Sequence, residues 1–363
     1  MGVNTKREPN RQQSTDTIIM KKMTRLTYGL ALSAMLATTY SHAADVTLRF
    51  GHHWPAVSAA QKDIFQAWGD HVKADSNGRI NVDIYASSML AKPPAQYDAV
   101  THRILDVTAA IQGYTANRFP LTQIVELPGV VKTAVEGSCV IQSLYDEGLI
   151  SSEYKETKPL FLFTHGPGLI HTKGKAIEKP EDLANLRIRR PTSVVASLLE
   201  KLNALPVGMP APDSYQSMQR GVIDGVALPW EGATVFKINE LANNHTDIGG
   251  LYSLAFVVTM NKDVYRQLDP ELKAAIDKNS GMAWSIKSGQ SFDALDRKGL
   301  AEAKKMGDNI VTISDDAFSS QWKPVLDEVT QEYLSALEAK GLPANAVYQR
   351  AIELASTSCA NPS

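Results

Sequence analysis

Leu186-Arg187-Ile188-Arg189-Arg190-Pro191 is followed, 18 residues after its proline, by Met209-Pro210-x4-Tyr215-x2-Met218-x2-Gly221-Val222-Ile223-Asp224-Gly225-x3-Pro229-Trp230. The first segment alternates as a strand over Leu186–Arg189 and is stopped by Pro191. Between the segments, Ser193–Asn203 turns Val194, Val195, Leu198, Leu199 and Leu202 to one side, the spacing of an amphipathic helix. Asp213–Arg220 predicts a second helix, ended by Gly221, and Val222–Leu228 a second strand. Strands alternating with helices define an α/β domain with a mostly parallel sheet. Arg189 closes its strand just before a new helix, where side chains reach the edge of a lobe. Alternation puts Arg187 and Arg189 on one face and Ile188 and Arg190 on the other, so the pattern alone does not choose among the three arginines.

The same grammar extends outward in both directions. Val46–Phe50 reads as a strand closed by Gly51, and Ala59–Ala74 as a helix with Ile64, Trp68 and Val72 on one face. Ile80, Val82 and Ile84 alternate as a strand, and a helix near Ala95–Arg103 leads to a strand at Val107–Ile111. Leu160–Thr164 and Leu254–Met260 are further strands. A long helical stretch opens at Asp269-Pro270, a cap followed by proline, and runs to about Met306. Helices near Ser319–Ala339 and Asn345–Ser356 finish the chain.

Two α/β halves without a flexible linker imply lobes that the chain crosses more than once, with a ligand cleft between them. The expected division is 44–165 plus about 254–295 for one lobe, 166–253 plus about 296–345 for the other, and 346–363 as a tail. The expected hinges lie near Thr164–Gly166 and Tyr252–Phe256.

From Met20 the chain carries Lys21, Lys22 and Arg25, then an apolar stretch from Leu26 to about Thr39, then small residues at Ser41 and Ala43. This is the pattern of a secretory signal peptide over residues 20–43, cleaved between Ala43 and Ala44. The apolar stretch is shorter than the ~20 residues a membrane span needs. Residues 1–19 lie upstream of a complete signal and suggest a misassigned start. The body after residue 43 holds 31 Lys/Arg against 37 Asp/Glu. A mildly acidic surface without a basic stripe argues against nucleic acid as a partner. The two cysteines, Cys139 and Cys359, are too few for a zinc cage; in an oxidising compartment they either pair or stand as two buried thiols.

Catalytic signatures are missing: no G-x-S-x-G, no G-x-G-x-x-G and no phosphate-binding loop. His52-His53 point to opposite faces of a strand and lack a third metal ligand, so one imidazole is expected to line a cleft and the other to pack. No catalytic residue, cofactor or metal is expected.

Taken together, the two quoted segments resemble the solute-binding proteins of tripartite ATP-independent periplasmic (TRAP) transporters. The resemblance continues through Gly113-Tyr114-x3-Arg118-Phe119-Pro120, Glu126-Leu127-Pro128, Met260-Asn261-Lys262 and Leu268-x-Pro270-Glu271-Leu272-Lys273. It implies a two-lobed periplasmic binding protein fold with hinge-connected lobes and a long C-terminal helical segment. It implies a receptor in the periplasm that captures a small organic acid anion for integral membrane permease subunits. Arg189 matches the arginine that clamps the ligand carboxylate in that family, and a planar guanidinium suits the task because it offers two parallel hydrogen bonds.

By the same resemblance His53 and Trp54, Gln112 and Tyr114, and Trp230 and Glu231 border the ligand, whereas Tyr215 is read as packing. Two positions depart from the sialic-acid-binding members. Leu228 stands where they carry an asparagine, and Leu169 falls in the neighbourhood of their second arginine. Apolar residues there cannot satisfy a sugar hydroxyl or a second carboxylate, which favours a small or aromatic monocarboxylate lying against Trp54, Tyr114, Leu228 or Trp230. Two rival readings are a ligand-delivering sensor subunit and a periplasmic enzyme using His52 or His53.

Overall fold

The computed structural model describes residues 1–4 and 44–362, so the expected signal peptide lies outside the described residues. Eleven strands are found among the described residues. They are β1 (Val46–Gly51), β2 (Ile80–Tyr85), β3 (Val107–Ile111), β4 (Thr157–Thr164), β5 (Leu169–Thr172) and β6 (Arg187–Arg190). The rest are β7 (Leu205–Gly208), β8 (Gly225–Leu228), β9 (Asn244–Asp247), β10 (Ala255–Asn261) and β11 (Asn309–Thr312).

They form two sheets, ordered β2-β1-β3-β10-β4 and β11-β9-β5-β8-β6-β7. The strand regions read from periodicity are present, with ends shifted by a few residues. The sheets are mostly parallel, as expected, with one reversed strand in each: β10 runs antiparallel to both β3 and β4, and β5 antiparallel to both β8 and β9. The reason is topological. β4 and β9 run in the common direction of their sheets, and the chain passes from their carboxyl ends straight into β5 and β10, which therefore run back the opposite way.

The two connecting segments lie side by side. Ser253 Oγ donates to the His165 carbonyl at 2.7 Å, and the Gly168 amide donates to the Tyr252 carbonyl at 2.8 Å. Residue 168 has to be glycine, because a Cβ there would run into the Tyr252 ring.

The long helical stretch expected from Asp269 is broken. Pro270–Lys278 and Met282–Met306 are separate helices, parted at Asn279–Gly281. The break has a structural use: the Gly281 amide donates to Leu160 in β4 at 2.7 Å, and the Asn279 carbonyl accepts from the indole of Trp68 at 2.8 Å. Gly281 sits at φ 73°, a region that favours glycine.

The Met282–Met306 helix packs on Ala134–Asp146, a helix that periodicity did not reveal because nine of its residues are buried. A Cβ at Gly289 would stand 2.6 Å from the backbone of Ala134 and Val135, so glycine sets that close approach. Asp293, one turn on, caps the shorter helix by accepting from the Ala134 and Val135 amides at 2.7 and 3.1 Å. Of the two alternatives left open for the cysteines, the structure has the pair bonded. Cys139–Cys359 ties the end of the chain to Ala134–Asp146, with the Cα atoms 5.5 Å apart. Among the described residues no helix is long and apolar enough to cross a membrane.

Candidate functional site

A cavity of about 30 Å³ opens where the carboxyl ends of β1, β3, β6 and β8 converge. Such ends are where open α/β sheets bind ligands. From the first sheet, the turn after β1 supplies His53 and Trp54, the turn after β3 supplies Tyr114, and β10 supplies Phe256. The second sheet supplies Arg189 at the end of β6, Leu228 at the end of β8, and Glu231 and Phe236 from the segment after it. His165 lines the cavity from the connection between the sheets.

Arg189 dominates the chemistry. It is fully buried, and among the described residues it forms no ion pair with any carboxylate. Its Nε donates to the Met209 carbonyl at 3.0 Å, Nη1 to the Ala227 carbonyl at 3.0 Å, and Nη2 to the Tyr114 hydroxyl at 2.9 Å. These three bonds hold the guanidinium plane rigid and leave one N–H on each terminal nitrogen, the fork that matches a carboxylate. The Tyr114 oxygen also accepts from the Ala211 amide at 3.1 Å, so a donor from β6 and one from the turn after β7 converge on one oxygen atom. Burying a cation beside neutral acceptors alone is costly, and it is tolerated where an anion completes the set.

The remaining walls are aromatic and neutral. His53 stacks on Trp54 with ring centroids 3.9 Å apart, and faces Phe236 at 6.3 Å in a near-parallel plane. Burial, with nearby His52 and Arg189, holds His53 down at about 3, so it is uncharged at neutral pH. Glu231 is pushed up to about 8 by burial and by the Asp296 carboxylate. Asp296, which accepts from the Glu231 amide at 2.7 Å, is itself raised to about 7, chiefly by burial. Near neutral pH this pair therefore retains protons, and an anion is not repelled by two full charges.

Six of the nine expected site residues meet at this cavity: His53, Trp54, Tyr114, Arg189, Leu228 and Glu231. Three do not line it. Gln112 is buried beneath, its Nε2 donating to the Tyr154 hydroxyl at 2.9 Å. Leu169 packs on Trp230 and Ala303. Trp230 turns away onto His171 and His245, with centroids 5.4 and 4.9 Å apart. Sequence reasoning missed His165, Phe236 and Phe256. For His165 the signal was its place within the expected hinge Thr164–Gly166. His52 packs on the Phe65 ring with its Nε2 against Gln61, so of the adjacent histidines only His53 faces the cavity.

The profile of bacterial extracellular solute-binding protein family 7, DctP, matches residues 50–336. The chain belongs to this family, and its role is that of the solute-binding receptor of a TRAP transporter. Among solved structures it is similar to a marine metagenome TRAP solute-binding protein specific for aromatic acid ligands, in complex with 3-hydroxybenzoate. The two are 34% identical over 86% of this chain and 99% of that one, with a TM-score of 0.83. A TRAP solute-binding protein from Rhodoferax ferrireducens with copurified benzoate is 34% identical over 85% and 97% of the two chains, with a TM-score of 0.82. One from Bordetella bronchiseptica with bound (R)- and (S)-mandelate is 26% identical over 85% and 98%, with a TM-score of 0.78.

Proposed function

We propose that the protein, exported to the periplasm and cleaved near Ala43/Ala44, closes over a small aromatic monocarboxylate. Arg189 clamps the carboxylate, and the loaded receptor delivers it to integral membrane permease subunits. The observation that carries this reading is a fully buried arginine with no acidic partner among the described residues, in a cavity walled by His53, Trp54, Phe236 and Phe256. The aromatic acids bound by the similar solved structures support it. Leu228 in the wall supports a single charge at the Arg189 end, since a second carboxylate would meet an apolar side chain.

A thermal-shift screen of organic acids on the mature protein tests the proposal. A ligand at ~100 times its dissociation constant stabilises by about 2.7 kcal/mol. Benzoate and its relatives are expected to raise the melting temperature; a screen in which no aromatic monocarboxylate does so overturns the proposal.

Two further outcomes are expected. A cavity of about 30 Å³ is far smaller than the ~150 Å³ that holds a benzene ring, so entry requires the lobes to part about the segments joining β4 to β5 and β9 to β10. Small-angle scattering should show a mixture of open and closed forms without ligand, and compaction on saturation with benzoate. An unchanged radius of gyration contradicts the motion.

The second outcome concerns pH. Glu231 and Asp296 are protonated at pH 6 and lose protons as pH rises through about 7 to 8, which places negative charge beside the bound anion. Benzoate affinity is expected to fall by ~10-fold between pH 6 and 9, the effect of one charge at moderate separation in a partly polar medium. Glu231→Gln should flatten most of that slope in a calorimetric titration series, and a wild-type slope of zero contradicts the assignment.

A further inference from the structure

His165 stands where the chain first passes between the sheets, and its ring lines the cavity that holds Arg189. Nδ1 donates to the carbonyl of Gly166, which places the ring proton on Nδ1 and leaves Nε2 with a lone pair only. A ring held to its own backbone by the Nδ1 edge presents Nε2 at the opposite edge. That nitrogen is buried, and among the described residues it has no hydrogen-bond partner. The backbone is fixed by the bond from Ser253 Oγ to the His165 carbonyl at 2.7 Å. Tyr252 and Phe256 flank the ring edge-on, each with its centroid 5.8 Å away.

Burial lowers the imidazole to about 4, assisted by the charge of Arg189, so it stays a neutral acceptor across the physiological range. The cavity therefore has two unlike poles. Arg189 offers only donors and His165 Nε2 only an acceptor. His53 Nδ1 and Glu231 Oε1, on residues that also line the cavity, likewise lack a partner among the described residues, but the donor or acceptor role of neither atom is fixed as that of His165 Nε2 is, so they assign nothing.

We propose that His165 sets specificity within the site, its Nε2 accepting a hydrogen bond from a hydroxyl group of the ligand, so that the preferred occupants are hydroxylated aromatic monocarboxylates. This inference rests on the reading of the cavity as an aromatic-acid site. A donor on the ligand satisfies a buried acceptor that the parent acid leaves bare, and an unmet buried acceptor is worth roughly 10- to 100-fold in affinity. A methyl ether at the same ring position keeps the oxygen but has no proton to give.

Calorimetric titration with benzoate, the three hydroxybenzoates, mandelate and 3-methoxybenzoate tests the inference on wild-type protein and on His165→Phe and His165→Gln. The best hydroxy acid is expected to bind wild type ~10- to 100-fold more tightly than benzoate, with the methyl ether no better than benzoate. In His165→Phe the ratio of hydroxy acid to benzoate is expected to shrink to within about three-fold, and in His165→Gln, which retains an acceptor, to be partly restored. Should the phenylalanine variant not fold, the contrast between hydroxyl and methyl ether on wild type decides alone. Benzoate binding with no hydroxyl preference overturns this inference and leaves the aromatic-acid reading standing. A preference that survives in His165→Phe does the same. No binding by any acid of the set overturns both.

Discussion

Arg189→Ala is expected to lower the affinity for benzoate by at least ~10- to 100-fold while the protein still melts cooperatively. Hydrogen bonds to charged groups contribute roughly 1.5–3 kcal/mol net, which is about one to two decades in affinity. The loss exceeds that range if the ligand carboxylate is left buried and unpaired in a closed cavity. Arg189→Lys should recover little, because an ammonium cannot reproduce the planar fork that remains after Nε, Nη1 and Nη2 have bonded Met209, Ala227 and Tyr114. Arg187→Ala is the control. That side chain is partly exposed and pairs with Asp224 at 2.6 Å, so its removal should cost well under a decade in binding. Titration calorimetry reads all three variants, and wild-type affinity in Arg189→Ala contradicts the clamp.

The second large effect concerns stability. Cys139–Cys359 closes a loop spanning 220 residues, and loops of that length gain most from a cross-link in the unfolded state. Replacing both cysteines by serine, or reducing the bond, is expected to cost ~2–4 kcal/mol. In a chain of this size that lowers the melting temperature by on the order of 3–6 °C, as scanning calorimetry would measure. The helix before Cys359 is also held by Val347, Ala351 and Leu354, buried in the same cluster as the disulfide, and by Arg350, which pairs with Glu147 at 2.7 Å at the surface. The loss should therefore appear as a lower melting temperature rather than as unfolding of the tail alone. Equal melting temperatures with and without reductant contradict the prediction.

Much of the fold was legible because strand and helix periods leave separate marks. Val107–Ile111 was read to the residue, and the helix over Ser193–Lys201 within two. What escaped had physical causes. β7 and β11 are four residues long and half exposed, so they carry no alternation to detect. The break at Asn279–Gly281 carries a local mark, an asparagine at its start and a glycine at positive φ at its end, but the helical period resumes directly after it and hides the stop. Its partners, Leu160 and Trp68, are distant in sequence. The antiparallel entry of β5 and β10 follows from the path between sheets rather than from either strand's own residues.

At the site, the choice of Arg189 over its neighbours came from the family resemblance, because Arg187 and Arg189 share a face by alternation. Their difference in depth arises from long-range partners: Tyr114, Met209 and Ala227 close around Arg189, whereas Arg187 reaches only Asp224. Trp230 illustrates the opposite failure. Its place in the sequence puts this tryptophan beside the site, yet its ring packs with His171 and His245 and does not line the cavity. Phe236 and Phe256, which do supply the aromatic wall, carried no local mark to separate them from core phenylalanines.

The central claim is that a buried, acid-free arginine in an aromatic cleft reads a single carboxylate. Its most direct test is a competition titration of the purified mature protein, in which benzoate, benzamide, succinate and sialic acid are compared under one buffer. The predicted result is one-to-one binding of benzoate, at least ~10-fold weaker binding of benzamide, which lacks the charge, and binding of succinate and sialic acid weaker than that of benzoate. Benzamide matching benzoate, or succinate or sialic acid binding most tightly of the four, would contradict it.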